Sequence, residues 1–267
     1  MVSLRDEFLD GGGCPVIDAH GHLGAFHGIY LPEASLDAMA AGLDRYGYEC
    51  IWLSPHNALD GDTREGNREM LEAVSKHPGR IYGYVTVNPN FADSMMPELD
   101  AYLDKPGVIG IKLHPSMHAC PADGVAYAPV WARAHDEKRI VLSHTWGATG
   151  GCGTRDMRAV AERYGEVRLL LGHSCYGAWD EAIALAADFP NVYLELTAAY
   201  HAYGILEWMC RDAGSEKVVY GTDYPWFDPF VAIGAVVSAH IDEAEMRNIL
   251  YNNARRLLDE QTGAKAR

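Results

Sequence analysis

Short β-rich runs, each followed by a longer helix-patterned stretch, recur eight times along this chain, and that alternation limits its fold more than any other feature. The candidate strands are 16–20, 50–55, 81–87, 108–114, 140–144, 167–173, 192–196 and 218–223. Helix signals fill 32–46, 64–76, 93–103, 127–136, 154–164, 178–187, 205–210 and 230–240. A last helix, 242–258, opens on Asp242 as a candidate N-cap and is expected to pack against the outside of the sheet. Eight β-then-α units in about 250 residues suit a closed parallel (β/α)8 TIM barrel. An open doubly wound sheet has fewer strands and a glycine-rich nucleotide turn. Neither G-x-G-x-x-G nor a phosphate loop occurs, and Gly11-Gly12-Gly13 precedes the first strand, where it reads as a flexible leader. No Pro/Ser/Gly stretch divides the chain, so residues 1–267 are expected to form a single domain.

Charge and cysteine usage narrow the partners. With 22 Lys+Arg against 37 Asp+Glu, the net charge of −15 argues against nucleic acid, whose binding needs a basic surface. Six cysteines lie far apart with no C-x-x-C pair and read as reduced thiols. The N-terminus carries Asp6 and Glu7 and lacks an apolar core of signal-peptide length, and no stretch approaches a membrane span. The expectation is a cytoplasmic protein with no membrane partner.

In a barrel of this kind, polar residues at the C-terminal ends of the strands converge on the active site. His20, His114, His144 and His173 close four candidate strands, His22 follows His20 by two residues, and Asp223 closes the eighth. At i and i+2 in extended backbone, His20 and His22 point to the same side, as two ligands of one ion require. His144 adds a third nitrogen and Asp223 a hard oxygen, a set suited to one divalent ion; zinc is the first choice, with manganese or iron as alternatives.

The segments Ile17-Asp18-Ala19-His20-Gly21-His22, Gly110-Ile111-Lys112-Leu113-His114-Pro115, Ser143-His144-Thr145, Leu171-Gly172-His173 and Tyr220-Gly221-Thr222-Asp223-Tyr224-Pro225 resemble the amidohydrolase superfamily, in the branch that includes aminocarboxymuconate-semialdehyde decarboxylase. The resemblance implies that His20, His22, His144 and Asp223 hold a single metal ion, with His173 as a nearby catalytic histidine. Such an ion lowers the pKa of bound water from about 15.7 towards about 7. His173 or Asp223 then serves as the base, and sequence does not choose between them.

Lys112 and His114 share a strand face and are candidate substrate-binding residues. In two-metal relatives a carbamylated lysine on that strand bridges the ions, and Lys112 has that reading beside two others: a cation for a substrate carboxylate, or a buried partner of an acid. Glu195, inside the seventh strand, needs a partner, and Lys112 is one candidate. The glycine-rich loop 147–153 leads to a helix start suited to an anion, with Arg155 and Arg158 nearby, or serves as a lid. His56 ends the second strand and either lines the mouth or, as the favoured reading, is a polar residue capping that strand. Cys175, two residues past His173, lacks the partners of a nucleophilic cysteine. His27, His118, His135, His201 and His240 are expected on the surface. Trp146, Tyr176, Tyr200, Trp226 and Phe227 supply either pocket walls or packing.

The first functional reading is a metal-dependent hydrolase acting on a small carboxylate, lactone or amide. The alternative is a metal-dependent non-oxidative decarboxylase of an aromatic or dienoic acid. A non-catalytic metal-binding or ligand-binding barrel is the third reading. The sequence leaves oligomeric state open, homo-oligomeric pairing through the outer helices included.

Overall fold

The computed structural model describes residues 4–9 and 13–263. The first three residues, and Gly11 and Gly12 of the leader, lie outside them. Eight strands run parallel in sequential order: β1 (Val16–Leu23), β2 (Tyr48–Pro55), β3 (Ile81–Thr86), β4 (Val108–Leu113), β5 (Ile140–Trp146), β6 (Arg168–Tyr176), β7 (Val192–Glu195) and β8 (Val218–Val219). The seam between β8 and β1 is closed by the chain that follows β8. Ala19 N–H donates to Tyr220 O at 3.0 Å, Asp223 N–H to His20 O at 2.7 Å, and His22 N–H to Tyr224 O at 2.8 Å. The protein is a single (β/α)8 TIM barrel.

Two packing layers follow from strand alternation. One set of strand residues, including Ile51, Val85, Ile111, Leu169 and Leu194, meets the surrounding helices. The other set, including Ile17, Tyr84, Ile109, Leu142 and Leu170, fills the barrel interior. The helices carry ordinary start signals. Asp62 accepts from the N–H groups of Arg64 and Glu65 ahead of Thr63–Lys76, and Asp242 forms a capping box with Glu245. Among the described residues, no helix is long and apolar enough to cross a membrane.

The ends of several elements differ from the sequence reading. β1 runs past His20 to Leu23, because Gly21, His22 and Leu23 still pair with Leu53, Ser54 and Pro55. β8 is only two residues long, since β7 leaves the sheet after Glu195 and the chain from Tyr220 bonds to β1 instead. His56 opens a short helix, His56–Asp60. The last helical stretch lies on the outside only in its first part, where Met246, Ile249 and Leu250 join the outer layer. It runs as Glu243–Arg247, a π-helical turn at Asn248–Asn252, and Asn253–Thr262. Ala254, Leu257 and Leu258 join the interior layer, and Gln261 Oε1 accepts from Ile140 N–H at 3.1 Å, so this helix plugs the N-terminal end of the barrel. The plug shields interior side chains such as Ile17 and Ile109 from water, burial worth about 25 cal/mol per Å2 of apolar surface.

Candidate active site

At the opposite end, His20, His22, Lys112, His114, His144, His173 and Asp223 all line one cavity of about 380 Å3. The strands deliver these side chains by local irregularity. In β1 the register slips between Asp18 and Gly21, and the Asp18 carboxylate takes up the slack, accepting from His20 N–H at 3.0 Å and Thr222 N–H at 3.2 Å. Between β5 and β6, His144 faces Gly172 while Trp146 faces Tyr176, so β6 bulges. The bulge holds His173, Ser174 and Cys175 at φ of 66°, 48° and 51°. Left-handed backbone at non-glycine residues costs roughly 1–3 kcal/mol each. Buried hydrogen bonds hold it: His173 N–H to Glu195 Oε2 at 3.0 Å, Ser174 Oγ–H to Glu195 O at 2.8 Å, and Cys175 N–H to Thr145 Oγ1 at 2.8 Å. Asp223, also left-handed at φ 59°, lies four residues beyond the end of β8 and not within it.

The electrostatics of the floor call for a cation. His20 sits between two carboxylates, Glu195 Oε2 at 2.8 Å from Nδ1 and Asp223 Oδ1 at 2.9 Å from Nε2. Burial disfavours a charged His20, yet the two carboxylates outweigh it and raise its pKa to about 8. His22 is the reverse. Burial lowers its pKa to about 3, and Nδ1 lies 3.1 Å from Ser54 O and 3.2 Å from Ser54 Oγ. Its Nε2 faces Asp223 Oδ1 at 3.1 Å. Asp223 Oδ1 is buried without a hydrogen-bond partner. The Asp223 carboxyl stays ionised well below the usual range, because His20 and His173 overcome its burial. Two histidine nitrogens thus lie 2.9 and 3.1 Å from one carboxylate oxygen, and this donor set fits a divalent ion, which would displace the proton that the carboxylates hold on His20.

His173 belongs to the same floor. One ligand-type atom each from His20, His173 and Asp223 lies within 4.8 Å of the others, and His173 Nε2 is 3.9 Å from Asp223 Oδ2. Burial lowers its pKa to about 4, and its Nδ1 has no partner. His144 stands outside that tight group, its ring centroid 4.7 Å from His173 and stacked on His114 at 4.0 Å. Lys112 is fully buried, with its pKa lowered to about 8 by desolvation. Its Nζ is 2.5 Å from His20 Nε2, so Lys112 reaches His20 and is not the partner of Glu195. Glu195 instead anchors His20, His173 N–H and Thr197. Gly221 makes room for that carboxylate: a Cβ there would lie 2.2 Å from Glu195 Oε1.

Above the floor the walls are aromatic. Trp146, Trp226 and Phe227 line the cavity, joined by Phe26, Leu59 and Met117, which the sequence did not single out. Tyr176 stacks behind Trp146 at 4.5 Å, and Tyr200 does not face the cavity. No residue of the glycine-rich loop lines the cavity: the helix start after it is capped by its own Asp156, and Arg158 pairs with Asp188 at the surface. His118 is buried and not on the surface, held between Tyr127 and Leu59 O. Cys175 is fully buried, and desolvation pushes its thiol up to about 12, which leaves it inert.

The amidohydrolase family model, Amidohydro_2, matches residues 17–259. The chain belongs to the amidohydrolase family. It is an enzyme of that family, with the cavity at the end of the barrel where such enzymes react substrate. None of the curated proteins matches the sequence. Among solved structures, an uncharacterised TIM-barrel protein from Bordetella bronchiseptica superposes on this amidohydrolase with a TM-score of 0.78 at 19% identity, covering 94% of this chain and 100% of its own. A dihydroxybenzoic acid decarboxylase from Polaromonas sp. JS666, with bound manganese and the inhibitor 2-nitroresorcinol, gives 0.74 at 16% identity, over 92% of this chain and 97% of its own. A proposed 2-pyrone-4,6-dicarboxylic acid hydrolase from Pseudomonas putida gives 0.68 at 19%, over 95% and 99%. These are likenesses of fold.

Proposed function

We propose that this amidohydrolase is a metal-dependent, non-oxidative decarboxylase of a small planar carboxylic acid, aromatic or dienoic. One observation carries the reading. Among the residues lining the cavity, the sole lysine or arginine is Lys112 on the floor, while Phe26, Trp146, Trp226 and Phe227 form the walls. An anionic substrate thus has its charge at the reacting end and its flat apolar body above. A hydrolase of a dicarboxylate would need a second cation higher in the pocket.

In this reading His20, His22, His144 and Asp223 hold one divalent ion. Their three nitrogens and one oxygen favour zinc, and the manganese bound by the Polaromonas decarboxylase makes manganese the rival, with iron third. The ion supplies Lewis-acid charge at the carboxylate end of the substrate. Lys112 pairs with the carboxylate, and the walls set the ring plane. His114 accepts weakly from Met117 N–H at Nδ1, which leaves Nε2 as its protonated nitrogen, a donor for substrate oxygen. The bond to the carboxyl carbon breaks heterolytically, its electron pair stays on the ring or chain carbon, and CO2 leaves. His173 relays a proton from solvent to that carbon, with Asp223 beside its Nε2.

Hydrolysis of a lactone or amide is the second reading. It draws on Asp223, a carboxylate on the cavity floor that stays ionised and so has an oxygen open to a proton, while its lowered pKa makes it a weak base. The reduced state of the six free cysteines fits a cytoplasmic setting, and small molecules are the partners.

The deciding experiment incubates metal-loaded protein with a panel of hydroxybenzoates, dienoic acids, lactones and amides. CO2 released in step with loss of acid is the expected result. Lactone or amide cleavage with no CO2 from any acid transfers the assignment to hydrolysis. Turnover abolished by His173→Ala at unchanged metal content separates either enzyme from a barrel that only binds.

A further inference from the structure

Of the two readings of His56, strand cap or part of the mouth, the structure bears out the second: it is 2% exposed and faces the cavity. Both of its ring nitrogens are committed. Nδ1–H donates to Gly24 O at 2.7 Å, and Nε2 accepts from the Trp226 indole N–H at 2.8 Å. With both nitrogens engaged, the ring has nothing left to offer substrate or metal. Its faces are used as well. It stacks on His22 at 4.8 Å and 24°, and the Phe26 ring meets it edge-on at 5.3 Å and Trp226 at 5.1 Å.

These contacts join three separate loops. Gly24 and Phe26 belong to the chain after β1, His56 follows β2, and Trp226 follows β8, its N–H bonded to Asp223 O at 2.8 Å. Sequential pairing of the strands does not fix the relative position of loops that leave them. A buried bridging side chain does, because each of its hydrogen bonds has no water to replace it.

We propose that His56 is a positioning residue that sets the specificity of the pocket. It pins the Trp226 and Phe26 wall at one distance from the opposite wall of His114, His144 and Trp146, and so fixes the width of a slot for a planar ligand. It also holds the plane of the His22 ring. The slot's occupant rests on the proposed reading of a planar acid, whereas the bridge itself does not.

The test uses the metal-loaded full chain with two readouts. The first is independent of any ligand: the Trp226 indole N–H resonance, assigned by its disappearance in Trp226→Phe. His56→Phe keeps a flat ring but loses both hydrogen bonds, and is expected to shift that resonance and speed its solvent exchange by about tenfold. His56→Gln retains an acceptor for the indole and should keep both near wild type. The second readout is the Kd of 2-nitroresorcinol as a planar probe, expected to rise by about tenfold in His56→Phe and much less in His56→Gln, at unchanged metal content. Should His56→Phe not fold, Trp226→Phe must raise the probe Kd by itself, and His56→Gln must leave it low. An unchanged indole resonance in His56→Phe, or His56→Gln behaving like His56→Phe, overturns the proposal. If the wild-type protein does not bind the probe, the planar-acid reading falls and the indole resonance still decides the role of His56.

Discussion

The two ends of the same eight strands are built by different rules. Toward the N-terminal end, β2 with β3, β4 with β5 and β6 with β7 pair without slips, the shifts at Val16/Ile17 and Gly83/Tyr84 move no polar side chain into the interior, and that interior is mainly aliphatic and aromatic, closed off by the helix Asn253–Thr262. Toward the C-terminal end, β1 and β6 slip register, five non-glycine residues at the site (His173, Ser174, Cys175, Ala198 and Asp223) adopt positive φ, and Asp18, Glu195, Lys112 and Asp223 are buried around His20. Regular pairing aligns side chains on two faces only. Converging seven polar groups on one point requires departures from it, and the buried network around Asp18 and Glu195 compensates for their cost. The lower half of the barrel should therefore govern stability, and the upper half chemistry.

The sharpest break between the halves is expected at the ion. Asp223→Ala or His20→Ala should lose bound metal and lower turnover by about 10^3-fold or more, as should treatment of the wild-type protein with a chelator, which added metal reverses. Elemental analysis beside a CO2 assay checks this, and a variant that stays fully loaded would remove that residue from the ligand set.

Next in size, His173→Ala should cut turnover by about 10^2–10^4-fold while metal stays bound, whereas His144→Ala should lose the metal. Because His173 lies in the tight group with His20 and Asp223 and His144 does not, this pair of variants tests the assignment directly. Metal lost from His173→Ala and kept in His144→Ala would exchange their roles.

Glu195→Gln keeps the shape of the side chain but removes the charge behind His20, and metal affinity measured by chelator competition should fall about 10–100-fold. Unchanged affinity would mean that Glu195 holds the β6 bulge alone.

The smallest effect on turnover belongs to the lower half. Leu170→Ala, at a fully buried interior position, should cost about 2–5 kcal/mol in denaturant unfolding and leave kcat per folded molecule unchanged. A large fall in kcat would show that the two halves are mechanically coupled.

Much of this architecture is written locally. Strand and helix periodicity mark all eight β/α units, and the position of a histidine near a strand end marks it as facing the mouth, as found for His20, His114, His144 and His173. The same local rules misplaced the end of the last helix, because an amphipathic stretch shows which face it buries and not what it meets: Leu257 and Leu258 suit a barrel bottom as well as a barrel side. They missed the role of Asp18, whose carboxylate joins β1 to residues some 200 positions away, at Thr222. They offered Lys112 as one candidate partner of Glu195, since a buried acid demands a partner, but the pairing with His20 depends on how β7 leaves the sheet.

By itself, then, the sequence determined the order of elements, the closed parallel sheet and the residue types gathered at its mouth, because those follow from periodicity and chain order. Tertiary structure alone decided which of those residues touch: His20 between two carboxylates, His56 across three loops, a helix beneath the interior. Contacts of this kind depend on register slips and loop positions far apart in the chain, and no short-range pattern encodes them.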